Sequence, residues 1–541
     1  MKMHSSITVL ICAGLLSSLV NALADSPLRI LVTVPAISYS HITFQGHLAD
    51  ILAEEGHYVH FAIHELRPIT ANGAKKAKVT HILTSVPEVS RASTHKALSN
   101  VFINETVYDA NALDEFGRQV GIMCKDIMQN ETYFDMLVEE RFDVAIAEEF
   151  DPCSFAMFKR LGIEAVIMST PMLVTDTTAV DYGLYYPRSY SNFIFNGFLN
   201  APKLTFFQRL SAIYRETKFY FDQEGYKYYT QQTLDNLFGK GTYNLPDLYR
   251  GVSLIFTNGN DLVDTARQTT SKIVPIGGLA MAKSKPLKPD VEEIVNSSKG
   301  GIVFFSFGSQ IDLSTLPLHL KQNFFNAFAR FPEISFILRY NYNASLGDDV
   351  IDHYPNVYGF HWLHQTSLLN HPKTRGFITH GGRNSLTEAL AAGVPTIAIP
   401  LFADQPYNSA LFKQRGVGVV RELHELTEDQ IADDLNTILY NPKLRQNADV
   451  LKAKLESTPF SAREKFLKWV AFVGKFKQFP EFDLPGATMG VVQLYNLDIY
   501  AAMVSIVLVL GFSIVAILRT VRFEFLPTAS KPKSKKHLKK L

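Results

Sequence analysis

Residues 376–388 carry the densest chemistry of the chain: Gly376, Phe377, Ile378, Thr379, His380, Gly381, Gly382, Arg383, Asn384, Ser385, Leu386, Thr387 and Glu388. An apolar run ends, glycines allow close backbone approach, and a helical pattern begins at Ser385. Free N–H groups at a helix N-terminus beside glycines form a natural seat for an anion such as phosphate. The spacing is neither G-x-G-x-x-G nor a Walker loop, so it does not point to a dinucleotide or to ATP. Further on, Pro400-Leu401-Phe402-Ala403-Asp404-Gln405-Pro406 closes another apolar run with an acid and an amide. Two residues read in two ways. Ser385 and Glu388 also have the S-x-x-E spacing of a capping box, which would leave Glu388 tying off its helix. Arg383 would meet a phosphate or a carboxylate, or else lie exposed, the commoner state of an arginine.

The elements that position these groups read as β–α alternation. Leu28–Val34 is an apolar strand, followed by a helical pattern from about His41 to Glu55 that Gly56 ends. Tyr58–Ile63, Asp143–Glu148 and Ala165–Ser169 read as further strands. A second series begins near residue 253: Ser253–Thr257, Ile273–Ile276, Gly301–Phe307, Ser335–Leu338, Gly376–Thr379 and Thr396–Pro400. Strands alternating with helices predict parallel βαβ units. Two doubly wound domains then imply a cleft where the C-terminal ends of both sheets face each other. Between the two series, sixteen of the 48 residues from Tyr182 to Tyr229 are Phe or Tyr, against 12% aromatic overall. Such a stretch lines an apolar pocket, dips toward a bilayer, or is ordinary core.

Composition narrows the class. With 47% hydrophobic and 19% charged residues the chain is globular rather than disordered. Its net charge of +1 hides an asymmetry: past residue 518, eight Lys or Arg stand against Glu524, which leaves the body net acidic. That argues against a nucleic-acid partner. Cys12, Cys124 and Cys153 are the only cysteines, too few for a disulfide scaffold or a Cys-rich zinc site. There is no D-x-D for a nucleotide-bound cation and no zinc-spaced His/Cys cluster, so no metal is expected.

The ends set the compartment. Lys2, the apolar run Ile7–Val20 and Ala22-Leu23-Ala24 form a signal peptide over 1–24, with a retained anchor as the alternative. Residues 499–518 are uncharged and long enough to cross a bilayer, and positive charge follows them. A cleaved signal and one stop-transfer helix predict a type I membrane protein with a cytoplasmic tail at 519–541. Its terminal lysines resemble an endoplasmic-reticulum retrieval signal out of register, or attract anionic lipid. The sequons at Asn104, Asn130, Asn296 and Asn343 fit a secretory glycoprotein.

The run from His380 to Gln405, with Trp362-Leu363-His364-Gln365 before it, resembles the signature of the UDP-glycosyltransferases. The animal membrane-bound branch, which includes the UDP-glucuronosyltransferases, is the nearest likeness. It extends through Thr257-Asn258, Ile276-Gly277-Gly278-Leu279, Phe305-Ser306-Phe307-Gly308-Ser309 and the C-terminal anchor. The resemblance implies an α/β GT-B architecture: two Rossmann-like doubly wound domains facing a cleft, plus one C-terminal transmembrane helix. The expected division is an acceptor-binding domain at 25–250, a UDP-sugar-binding domain at 251–450 and C-terminal helices at 451–498. It further implies that Trp362 lies on uracil, Gln365 and Glu388 meet the ribose, and Ser306, His380, Gly382, Asn384 and Ser385 hold the diphosphate. Asp404 and Gln405 would hold the sugar hydroxyls. The physics agrees, since an aromatic face suits a base and a carboxylate accepts two hydroxyl protons.

The same likeness places a catalytic base at His41, where the helix N-terminus would bias the ring toward its neutral form. Its usual aspartate partner is replaced by Glu148, with Glu149 and Asp151 poorer candidates. The expected reaction inverts a hexosyl centre, moving the sugar from UDP-glucuronate or UDP-glucose to a small lipophilic hydroxyl compound, with no cofactor. Many glucuronate-using relatives carry Arg where this chain has Phe256, which favours glucose. Two other classes stay open: a UDP-binding member without turnover, and a structural adhesion protein. The sequence leaves a homo-oligomer open.

Overall fold

A computed structural model describes residues 26–69, 71–86, 110–191, 193–195, 197–199, 203–223, 225–309, 311–341 and 350–525. The signal peptide, the sequons at Asn104 and Asn343 and the tail beyond 525 lie outside the described residues. The chain divides into one unit ending at Leu484 and a second beginning at Pro485.

In the first unit the apolar segments pair into two all-parallel sheets. One takes β1 (Arg29–Pro35), β2 (Tyr58–His64), β3 (Lys78–Ile82), β4 (Val144–Glu148), β5 (Ala165–Thr170), β6 (Leu254–Thr257) and β7 (Ile273–Pro275), in the order β3-β2-β1-β4-β5-β6-β7. The other takes β8 (Ile302–Ser306), β9 (Ser335–Arg339), β10 (Val357–Phe360), β11 (Thr374–Thr379), β12 (Thr396–Ala398) and β13 (Gly418–Val420), in the order β10-β9-β8-β11-β12-β13. Parallel strands are covered on both faces, which is why β1 reads as a nearly unbroken apolar run. Leu31 and Ala145 pack on one face of the first sheet, Ile30, Val32 and Ile146 on the other. The helix Tyr39–Glu54 covers the second face through Ile42, Phe44, Leu48 and Leu52.

The second series of strands begins later than the sequence reading has it. β6 and β7 pair with β5 and with each other, so they complete the first sheet rather than opening the second. The boundary at 250/251 therefore cuts a continuous sheet. Local periodicity identifies a strand but not the edge it joins, and the register Ile167↔Leu254 is a contact between distant residues. The helix Ala462–Phe476 returns to the same sheet, burying Phe466, Val470 and Val473 against it, with Phe466 edge-on to Phe256 at 5.0 Å. Phe256 is thus a core residue, and its type reports packing rather than the donor sugar.

Cys124 and Cys153 are joined in a disulfide, a single staple where the cysteine count excluded a scaffold. The aromatic-rich stretch divides: Tyr182, Tyr186 and Tyr226 are buried, whereas Phe206, Phe207 and Tyr214 lie on the surface. In the second unit the helix Leu497–Phe525 contains a fully exposed apolar span, Leu497–Val521, with mean hydropathy 2.8. It is long enough to cross a hydrocarbon core of about 30 Å.

Candidate active site

In both sheets strand order reverses beside the first strand, between β1 and β4 and between β8 and β11, and crevices form at such points. The first crevice is built from an imidazole and a carboxylate. β1 runs through Ser38 into the helix Tyr39–Glu54, which sets His41 in its first turn, while β4 ends at Glu148. His41 Nδ1 is hydrogen-bonded to Glu148 Oε1. Glu148 is fully buried and the His41 side chain is 13% exposed. The longer glutamate therefore reaches the ring, and Nε2 is left as the nitrogen able to accept a proton. Glu149 instead accepts from Thr175, and Asp151 caps the helix Pro152–Arg160 and binds His64 Nδ1 at 2.7 Å.

The helix N-terminus alone predicts a depressed pKa for His41, but its surroundings in the fold shift it the other way. Burial lowers it, but the charge and hydrogen bond of Glu148 outweigh burial and raise it, with Asp404 adding to the rise. Burial pushes Glu148 upward in turn, against the pull of His41. A raised imidazole is the stronger base.

The second crevice is built around His380. β11 delivers its ring beside the end of β8, where it is hydrogen-bonded to the Ser306 carbonyl. Two glycines make room for it. A Cβ on Gly308 would stand 2.7 Å from His380 Cε1, and one on Gly382 only 2.5 Å from Nε2. Gly308 also needs its φ of +77°, which side chains other than glycine rarely adopt. Burial holds the His380 pKa down to about 4, so the ring is neutral. The helix Arg383–Ala392 follows, capped by Gly382 without a side-chain bond. Ser385 is thus inside the helix, and the capping-box reading of Glu388 fails.

Glu388 belongs to a polar cluster instead. Gln365 Nε2 donates to Glu388 Oε2 and, at 3.1 Å, to Ser385 Oγ; Thr366 Oγ1 donates to Glu388 Oε1 at 3.1 Å. Burial raises the Glu388 pKa while these donors oppose the shift. Trp362 is 41% exposed rather than core, edge-on to Tyr39 of the other sheet's first helix at 6.1 Å. Arg339, which the sequence reading passed over, ends β9 with its guanidinium 5.8 Å from the Trp362 ring.

Arg383 is buried, not exposed. It grips Asp264 through two nitrogens at 2.6 and 2.7 Å and donates from Nε to the Asn258 carbonyl at 2.7 Å. Asn258 Nδ2 donates in turn to Asn384 Oδ1 at 3.0 Å, so that amide also ties the two sheets together. Asp264 carries no motif of its own and is invisible until the loop after β6 folds against the helix.

Asp404 and Gln405 open the helix Gln405–Gln414 after Ala403, a non-glycine residue held at a φ of 56°. Strain of this kind persists where surroundings over-determine it, often beside functional groups. Asn408 Nδ2 donates to Asp404 Oδ2 at 2.8 Å; burial raises the Asp404 pKa, opposed by Asn408, Arg383 and His41. Gln405 is turned into its own loop, its Oε1 accepting from the Leu401 and Phe402 amides at 2.8 and 3.1 Å. Mutual influence of Asp404 and His41, together with the Tyr39–Trp362 contact, makes the two crevices one cleft. Phe150 stands 6.0 Å from the His41 ring and 5.9 Å from Tyr226, giving the base an aromatic wall.

Comparison with known proteins bears on this geometry. The family model described as UDP-glucoronosyl and UDP-glucosyl transferase matches residues 30–532. The Caenorhabditis elegans chain ugt-47 is 28% identical over 488 residues, covering 87% of this chain and 89% of that one. The human UDP-glucuronosyltransferase 3A2 is 27% identical over 455 residues, covering 82% of this chain and 84% of that one. In three dimensions the chain resembles a Polygonum tinctorium UDP-glucosyltransferase, with a TM-score of 0.57, 15% identity, and 83% and 99% of the two chains covered. Phytolacca americana UGT2, in complex with UDP-2fluoro-glucose and pterostilbene, gives the same TM-score of 0.57 at 16% identity, covering 83% and 99%. At such identities the solved structures establish the two-domain GT-B fold.

Proposed function

The chain belongs to the family of UDP-glucuronosyl and UDP-glucosyl transferases, and on that premise we propose that it transfers a hexosyl group, with inversion, from a UDP-sugar to the hydroxyl of a small lipophilic acceptor. The observation that carries the reading is His41, held at Nδ1 by the buried Glu148 and facing Asp404 across the cleft. His41 Nε2 takes the proton as the acceptor oxygen attacks the anomeric carbon from the side opposite UDP. Glu148 keeps the ring oriented and stabilises the imidazolium that forms. The bond from the anomeric carbon to the diphosphate oxygen breaks, and UDP leaves with the electron pair. Its growing charge falls where the helix Arg383–Ala392 begins, beside His380 and Ser306, whose positions are set before the reaction.

In this reading Trp362 supports the uracil, Gln365 and Glu388 meet the ribose, and Gly382, Asn384 and Ser385 complete the diphosphate seat. Asp404 and Gln405 face the sugar, Gln405 also bracing the loop that aims Asp404. UDP-glucose is the favoured donor, because Arg383, the cation within the glycine-flanked run, is committed to Asp264 rather than to a glucuronate carboxylate. Phe150 and Tyr226 suit an apolar, ring-bearing acceptor, as detoxification requires. The reading needs no resident cofactor or metal.

Three features support a lumenal body in the endoplasmic reticulum, a type I anchor and a cytoplasmic tail. A disulfide persists in an oxidising compartment, the exposed apolar helix spans a bilayer, and basic residues come after it. Asn130 and Asn296 are exposed for glycosylation. The binding-only alternative drew on Glu148 as a departure from aspartate, and Glu148 makes the bond to His41 that the base requires.

The test incubates membranes carrying the protein with UDP-glucose or UDP-glucuronate against a library of hydroxyl acceptors, with products read by mass spectrometry. His41→Ala should lower turnover about 10²–10⁴-fold while UDP binding is kept. Unchanged turnover, or an equal loss of UDP binding, refutes the role.

A further inference from the structure

Glu148 holds His41 with one carboxylate oxygen; the other, Oε2, is buried and meets no partner. A buried carboxylate oxygen without a donor is costly and demands an account. Gln45 lies one turn beyond His41 on the same face of the helix Tyr39–Glu54. It is fully buried, its Nε2 donates to Ser169 Oγ at 2.5 Å, and its own Oε1 is likewise buried without a partner. Ser169 is the register neighbour of Glu148 across β4 and β5. The two side chains therefore leave the sheet on one face from strands about 4.8 Å apart. Ser169 Oγ has only a long donation to the Ala147 carbonyl, at 3.3 Å.

One orphaned acceptor is thus the amide's own oxygen and the other belongs to the register neighbour of the serine that the amide binds, while the amide's donor end is spent on a hydroxyl that can itself donate. A half-turn of the Gln45 amide resolves both: Nε2 donates to Glu148 Oε2 and Oε1 receives the Ser169 hydroxyl. The two ends of an amide are nearly the same size, so the turn needs no extra room. We propose that Gln45 is a positioning residue of the transfer reaction, hydrogen-bonding the second oxygen of Glu148 and completing a row His41–Glu148–Gln45 anchored on Ser169. The glutamate's additional methylene is what lets one carboxylate reach both neighbours; an aspartate would be drawn back toward its strand. The proposal rests on reading His41 and Glu148 as base and orienter.

The experiment is a double-mutant cycle in the full-length, membrane-bound protein: Gln45→Leu with Glu148 and with Glu148→Asp. Gln45→Leu should lower kcat about tenfold or more, as expected for the loss of a donor to a charged oxygen. KM for the UDP-sugar should stay within about twofold. The acid limb of kcat/KM should move to higher pH, because Glu148 loses a donor that stabilises its charge. The other charges facing the pair stay in place: Asp404 and Arg67 beside His41, Glu149 and Asp151 beside Glu148. In the Glu148→Asp background the same substitution should cost under about threefold. Gln45→Met, which keeps more of the side-chain volume, and Ser169→Ala serve if Gln45→Leu does not fold; both should show the limb shift. Unchanged kcat, an unmoved limb, or equal losses in the two backgrounds overturns the proposal. Should His41→Ala leave turnover intact, the underlying assignment of the base has failed instead.

Discussion

Gly382→Ala should damage nucleotide binding without damaging the backbone. Gly382 has φ −59° and ψ 149°, an ordinary region for alanine, so the substitution carries no conformational strain. A Cβ there would stand 2.5 Å from His380 Nε2, whereas non-bonded heavy atoms settle at about 3.5 Å, so the ring must move by about 1 Å. It has little room to retreat, because Gly308 closes on its Cε1. A displacement of about 1 Å in a positioning group costs on the order of 10² in kcat/KM. Overpacking adds about 1–3 kcal/mol of lost stability, which leaves a protein of this size folded. Calorimetry with UDP and steady-state kinetics at saturating acceptor would read the effect: weakened UDP affinity and kcat/KM lowered about 10²-fold. Adding His380→Ala should make the alanine at 382 nearly silent, since the ring it strikes is gone. Parental UDP affinity in Gly382→Ala would refute the reasoning.

Two further perturbations test the electrostatics. In Glu148→Gln the raising charge of Glu148 is gone, and burial and Arg67, which lower the His41 pKa, are opposed by Asp404 alone, so the acid limb of kcat/KM should move to lower pH than in the parent; an unmoved limb would place the controlling group elsewhere. Asp264→Asn leaves the buried Arg383 guanidinium without its counter-charge and should cost about 3–5 kcal/mol in urea unfolding, and a loss below about 0.5 kcal/mol would mean the pair is not structural.

The glycine-flanked histidine was legible in the sequence because its setting is local: a strand end, two small residues and a helix start lie within a dozen positions. Glu148 was legible through the resemblance, as the residue standing where the family has an aspartate, with alternation and distance turning Glu149 and Asp151 elsewhere. Arg383 was misread because exposure is decided by a partner, and Asp264 lies far away in a loop without any pattern. β6 and β7 were found as strands but joined to the wrong sheet, since an apolar tetrapeptide does not say which neighbour it pairs with. The short strands β3, β10 and β13 were missed: β3 is mostly half-exposed and β13 only three residues long, too weak for a periodicity signal. The direction of the His41 shift also escaped, because a helix end contributes less than a carboxylate in direct contact.

The helix Ala462–Phe476 has a consequence for how the polypeptide is made. Its Phe466, Val470 and Val473 finish a hydrophobic layer begun by Ile30 and Val32. On a ribosome adding about 5–20 residues per second, Phe466 emerges roughly 10–40 s after Phe256, the ring it packs against. Through that interval the earliest-made half carries an uncovered greasy face and cannot complete itself, however well its own strands pair. Completion of that layer is therefore timed by synthesis of residues 462–476, and until their helix docks its apolar face stays open to solvent.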